Sequence, residues 1–149
     1  MSTILCHTDG SCLGNGSTKA TGTCAAAIFT SNDDYIYKKY RLKLGNLIEK
    51  VTNNTAELCG VKIGLDLCLD HVRLNKIEKS HWTIETDSKY SIGVLSGETR
   101  ANVNKKLINS IIQLMADCEH KCNCTIEFNW VKGHDTNKGN ILVDRLCKD

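Results

Sequence analysis

Four acids stand where the chain can bring them together. Asp9 ends an alternating run, Thr3 to Ser11 (TILCHTDGS), and Asp87 ends another, His81 to Thr86 (HWTIET). Glu57 opens a stretch with helical periodicity, and Asp144 lies near the C-terminus in a second one. Two carboxylates about 4 Å apart repel by roughly 4 kcal/mol at an effective dielectric near 20. A cluster of three or four must therefore hold protons or a divalent cation. Oxygen-only donors favour magnesium or manganese over softer metals. A pair of such ions about 4 Å apart suits phosphodiester cleavage, where an entering and a leaving oxygen both carry charge. The same residues also suit a bland role, since Asp-Gly is ordinary turn chemistry and acids favour helix starts. Spacing alone leaves both readings open.

For the acids to meet, the elements carrying them must converge. Along the first run Ile4, Cys6 and Thr8 point one way, and Leu5, His7 and Asp9 the other. A glycine-, serine- and asparagine-containing turn follows from Leu13 to Thr21. Second and third strands are expected over Gly22–Thr30 and Tyr35–Leu44, with a turn at Asn32-Asp33-Asp34 between them. Short turns make these three an antiparallel meander. A long helix capped by Asn53 or Asn54 is expected to reach Leu74, with Leu58, Val61, Leu65 and Val72 on its buried stripe. Gly60 and Gly64 each cost this helix about 1 kcal/mol relative to alanine, so close approach to the sheet is their expected purpose. His81–Thr86 forms a fourth strand, followed by a short helix from Ser88 to Leu95. A break at Ser96–Thr99 precedes a helix marked by Val103, Leu107, Ile111, Leu114 and Met115. Thr125–Val131 forms a fifth strand and Asn140–Cys147 a last helix. The order β-β-β-α-β-α-α-β-α predicts an α/β fold, a mixed five-stranded sheet flanked by helices. With the first and fourth strands parallel neighbours, Asp9 and Asp87 face each other at one rim.

At 149 residues the chain reads as one domain, 1–149, able to bury roughly two-thirds of its unfolded surface. Its 41% hydrophobic and 24% charged residues are those of a globular protein, and no apolar run is long enough to span a bilayer. Net charge of +2 does not by itself point to nucleic acid. No basic-then-apolar leader precedes Thr3, so an intracellular location, cytoplasmic or nuclear, is expected, and no obligatory protein partner is implied. The nine cysteines are odd in number, and Cys24, Cys59 and Cys68 sit in apolar patterns. Cys118, His120, Cys122 and Cys124 lack a second ligand pair, so reduced thiols rather than zinc are expected.

Five blocks in order then resemble type 1 ribonuclease H: TDGSCLGN from Thr8, TNNTAEL from Thr52, TDSKY from Thr86, WVKGH from Trp130, and Asn140 with Asp144. The resemblance implies the ribonuclease H-like fold and endonucleolytic cleavage of the RNA strand of RNA–DNA hybrids, leaving 5′-phosphate and 3′-hydroxyl ends. It implies that Asp9, Glu57, Asp87 and Asp144 hold two Mg2+ ions, with Mn2+ a substitute, and that His134 handles protons or product release. Asn15, Asn53 and Asn54 match minor-groove contacts, Thr52 (with Lys50 nearby) a pocket for a DNA-strand phosphate, and Ser88 and Asn140 further substrate contacts. Amide side chains suit 2′-hydroxyls and base edges. Gly10, next to Asp9, is expected to let the nucleic-acid backbone approach the ions.

Two departures stand out. Gly16–Thr21 contains no proline, and Ser96–Asn102 (SGETRAN) replaces the basic, tryptophan-containing handle of many cellular members. The chain is similar to compact, handle-less versions such as those attached to reverse transcriptases, and a monomer is expected. Lys38, Lys39, Arg41 and Lys43, or Lys105 and Lys106, are candidates for a substitute basic surface. Alternatives are a non-catalytic hybrid-binding module and another two-metal nuclease of the same superfold.

Overall fold

The computed structural model describes residues 1–15, 17–30, 34–132 and 137–148. His134 and the Asn32-Asp33 turn lie outside the described residues. Nine elements follow in order: β1 (Ser2–Leu13), β2 (Thr21–Phe29), β3 (Tyr35–Arg41), α1 (Asn53–Leu74), β4 (Ser80–Thr86), α2 (Lys89–Ser96), α3 (Lys105–Cys122), β5 (Cys124–Trp130) and α4 (Lys138–Lys148). The sheet order is β3-β2-β1-β4-β5. β1, β2 and β3 pair antiparallel, whereas β4 is parallel to both β1 and β5. The expected mixed five-stranded sheet, with its antiparallel meander, is the observed one.

Helices cover both faces. On one, α1 and α3 close the main core around Cys6, Leu58, Val61, Leu65, Trp82, Ile84, Leu107 and Ile111. On the other, α4 lays Val143 and Cys147 on Ala25 and Ala27 of β2. Small residues in β2 let that helix approach closely. The face assignment of β1 holds: Cys6 and Thr8 meet α1 at Gly64, whereas His7 lies beneath α4 at Gly139. Cys24, Cys59, Cys68, Cys118 and Cys124 are buried free thiols, and Cys124 Sγ donates to the Cys118 carbonyl at 3.4 Å.

The glycines of α1 act as expected. A Cβ on Gly60 would stand 2.6 Å from the Asp9 carbonyl oxygen, and one on Gly64 would stand 2.7 Å from Thr8 Cγ2. Three local expectations are corrected. Thr52, not Asn53 or Asn54, caps α1: its hydroxyl accepts from Thr55 N at 3.1 Å, and Thr55 Oγ1 accepts from Thr52 N at 2.7 Å. A threonine can therefore fill the role usually given to glutamate in a capping box. Glu57 consequently lies past the first turn of α1. Val103 is not on the stripe of α3, because the helix starts two residues later and Val103 is 63% exposed. None of the described helices is long and apolar enough to cross a membrane.

Candidate active site

Parallel pairing of β1 with β4 ends at His7 opposite Glu85. Two residues further on stand two acids, Asp9 still within β1 and Asp87 just past the end of β4. The strands bring these two together at one rim, and α1 brings the third. Gly60 rests on the Asp9 backbone, and Glu57, three residues earlier, shares that face of the helix. One carboxylate oxygen from each of Asp9, Glu57 and Asp87 lies within 4.8 Å of the others. Among the described residues, this is the cluster with donors placed to share a cation.

Gly10 proves to serve packing. A Cβ there would strike the backbone of Ala56 and Glu57, so its bareness lets α1 sit against β1. Gly10 also lines the pocket shared by the acids.

The electrostatics fit a cation-holding site. Burial, then the charge of Asp87, pushes the Asp9 carboxyl up to about 7. Burial and the charges of Asp9 and Asp87 push Glu57 up to about 10. Burial and mutual repulsion thus hold both carboxyls above the ordinary carboxylate range. Glu57 Oε2 is buried without a hydrogen-bond partner. An orphaned carboxylate oxygen facing two other acids is the donor set a hard divalent ion needs. The residues present therefore fit such an ion.

Asp144 stands apart from this triplet. It lines the same pocket of about 490 Å3, with Asn140, Ser11 and Asn53, but its Oδ2 pairs with Lys148 at 3.1 Å. Asn140, one helical turn before Asp144, donates to the Lys132 carbonyl at 3.4 Å. Asp87 is steadied from β5, where Trp130 Nε1 donates to its carbonyl at 3.1 Å and Lys89 Nζ lies 4.5 Å from the Trp130 ring centre. Ser88 Oγ caps α2 by accepting from Ser91 N at 3.1 Å.

A second concavity, about 800 Å3, adjoins the first at Asn53. Asn15, Lys50, Thr52 and Asn54 line one side, and Asn102, Asn104, Lys105 and Lys106 the other. Asn15 Oδ1 accepts from Asn53 N at 2.8 Å, tying the loop after β1 to the start of α1. Of the candidate basic surfaces, Lys105 and Lys106 reach this groove. Lys38 instead pairs with Asp70 at 2.7 Å. Residues 97–104 join α2 to α3 without another helix.

Sequence reasoning overlooked His7 and Glu85, buried one step below Asp9 and Asp87 on the same face. The signal was present in the alternation: both stand two residues before an acid.

A mixed sheet that gathers Asp9, Glu57 and Asp87 at one rim is an arrangement that could hold a divalent cation. The family model described as RNase H matches residues 1–149, and the chain belongs to the ribonuclease H family. A Ribonuclease H of Pseudoalteromonas translucida is 30% identical, over 99% of this chain and 88% of that protein. The N-terminal RNase H domain of a Mycobacterium tuberculosis protein superposes with a TM-score of 0.69 at 24% identity, covering 100% of this chain and 93% of that one. LC11-RNase H1, solved in complex with RNA/DNA hybrid, gives 0.68 at 16% identity, covering 97% and 94%.

Proposed function

We propose that this chain is an endonuclease that hydrolyses the RNA strand of RNA–DNA hybrids with two divalent cations, leaving 5′-phosphate and 3′-hydroxyl ends. The observation that carries it is the triplet of Asp9, Glu57 and Asp87, whose partnerless Glu57 oxygen and raised carboxyl pKa values call for a cation. Family membership and the hybrid complex of LC11-RNase H1 support the substrate.

In this reading Asp9, Glu57 and Asp87 would hold the ions, Mg2+ or Mn2+, together with Asp144, which lines the same pocket. The bound ions supply the positive charge that water activation and departure of the 3′ oxygen require. Because Asp9 and Glu57 hold their protons above the ordinary carboxylate range, affinity for a cation would rise with pH. His134, in its family motif, handles protons or product release.

Hybrid binding falls to the adjoining groove. Asn15, Asn53 and Asn54 offer amides to 2′-hydroxyls and base edges, while Thr52, Lys50, Lys105 and Lys106 surround a DNA-strand phosphate. Asn140 lines the acidic pocket and would contact the RNA strand there. Ser88 contributes through the turn that carries Asp87. The reading takes the chain as a single catalytic domain acting as a monomer inside the cell.

The test uses end-labelled RNA–DNA hybrid, double-stranded RNA and double-stranded DNA, each with Mg2+, Mn2+ or chelator. Metal-dependent cleavage confined to the RNA of the hybrid supports the proposal. Hybrid binding without cleavage under both metals would replace it with a binding module, and equal attack on all three duplexes with a different nuclease.

A further inference from the structure

Directly beneath the row of acids lies a second polar row. Across the sheet Ala27, His7, Glu85 and Asn129 stand side by side in register on β2, β1, β4 and β5. His7 is 4% and Glu85 8% exposed, unusual burial for a carboxylate that does not line the acidic pocket. Such a group needs partners, and these reach it from three elements. Asn129 Nδ2 donates to Glu85 Oε2 at 2.8 Å. Asn137 Nδ2 donates to Glu85 Oε1 at 3.5 Å. His7 Nδ1 approaches Oε1 to 3.1 Å, though not in hydrogen-bond alignment.

Asn137 has a second task. Its Oδ1 accepts from the backbone N–H groups of Gly139 at 2.9 Å and Asn140 at 3.1 Å, which caps α4. The amide is therefore fixed at both ends. Its oxygen holds the first turn of α4 and its nitrogen is spent on Glu85. Gly139 then lies against the His7 ring, where a Cβ would have no room, so the buried row also sets the height at which α4 enters. Asn140 and Asp144 follow on one face of that helix, both lining the acidic pocket.

We propose that Glu85 is a positioning residue: through Asn137 it sets the position of α4, and so the reach of Asp144 and Asn140 towards the Asp9–Glu57–Asp87 triplet. This rests on the nuclease reading for its effect on cleavage, but the geometry and the cation-binding consequence do not depend on it. His7, Glu85 and Asn137 do not line the acidic pocket, so the network acts through the helix.

A charge swap separates this role from ordinary capping. Asp is as good an N-cap as Asn. If Asn137 merely caps α4, Asn137→Asp is silent. If it also donates to Glu85, Asn137→Asp sets two carboxylates against each other and displaces the helix start. In the double variant Asn137→Asp/Glu85→Gln, the Gln amide donates back to the Asp oxygen and the link is rebuilt with its direction reversed. Single-turnover cleavage, KM for hybrid, Mn2+ binding by calorimetry without nucleic acid, and circular dichroism would be measured for all forms.

For the single variant we expect native circular dichroism, a fall in kcat of about 10- to 100-fold as for a catalytic group misplaced by about an ångström, and little change in KM. Mn2+ affinity should weaken, and the double variant should recover both affinity and rate to within roughly threefold of Glu85→Gln alone. A single variant equal to wild type in Mn2+ affinity overturns the proposal, as does a double variant no better than the single. Should wild type itself fail to cleave, the nuclease reading falls while the Mn2+ titrations still decide this one.

Discussion

The pocket of acids and the groove of asparagines and lysines meet at Asn53, yet they are assembled from different kinds of structure. The pocket is built on strand ends, with Asp9 buried in the middle of the sheet and α1 pressed against it through Gly10 and Gly60. Its members oppose one another, and burial amplifies the opposition. The groove is built on the starts of α1 and α3, from exposed amides and ammonium groups that solvent screens. Under the proposed function, cations would be held by the rigid, desolvated part of the fold, and the nucleic acid would be met by exposed groups that adapt. Chemistry and binding should accordingly fail separately.

The largest effect is expected from Asp87→Asn. It removes a charge from the triplet at constant shape, so cleavage should fall by more than about 100-fold while hybrid affinity stays within roughly twofold. Gel-shift and single-turnover assays on the same preparation measure both. Loss of binding together with cleavage would break the separation.

Gly60→Ala comes next. Its methyl group would meet the Asp9 carbonyl oxygen at 2.6 Å and push α1 away from β1. Overpacking of this kind costs typically 1–3 kcal/mol, measurable by urea denaturation, and carries Glu57 away from Asp9. Cleavage should fall further than affinity, since the groove also draws on Lys105 and Lys106 of α3, which Gly60 does not touch.

A smaller effect, with an informative sign, belongs to Glu57→Gln. Folded-state carboxyl values of about 7 for Asp9 and about 10 for Glu57 lie above those of the unfolded chain. The folded protein therefore binds more protons, and metal-free stability is highest in acid and declines as pH rises from about 4 through 7 towards 10. At pH 8 in chelator, Glu57→Gln should melt above wild type by roughly 2–4 °C, corresponding to about 1 kcal/mol. Saturating Mg2+ should reverse the order, because only wild type keeps the full donor set. A wild type that stabilises with rising pH in chelator would contradict the electrostatics of the pocket.

The smallest effect falls on the groove. Lys105→Ala/Lys106→Ala should raise KM for hybrid severalfold, leave kcat unchanged, and reduce the slope of log affinity against log salt by about one to two. An unchanged slope would mean that these lysines are merely solvated.

Much of this could be read in the residues themselves. Alternation in β1 assigned Asp9 and Cys6 to opposite faces, because side-chain direction along a strand is a local property. The paired glycines of α1 announced close packing, since only close packing compensates two glycines in a helix. Capping was less legible. Thr52, Asn53 and Asn54 all accept hydrogen bonds from a helix start, and the choice of Thr52 came from its reciprocal bond with Thr55. The purpose of Gly10 was likewise not local, for it depends on which backbone arrives from 46 residues away.

Sequence alone determined the chemistry available to this protein: two acids following strands and two on helices, amides before a helix, and a family pattern in order. Residue type and period carry that information without reference to neighbours. Tertiary structure decided which acids meet. It gathered Asp9, Glu57 and Asp87 within 4.8 Å, left Asp144 paired with Lys148 at the rim, and set His7 and Glu85 beneath them. Strand register and helix height fix these relations, and both arise from packing between distant segments that no local pattern encodes.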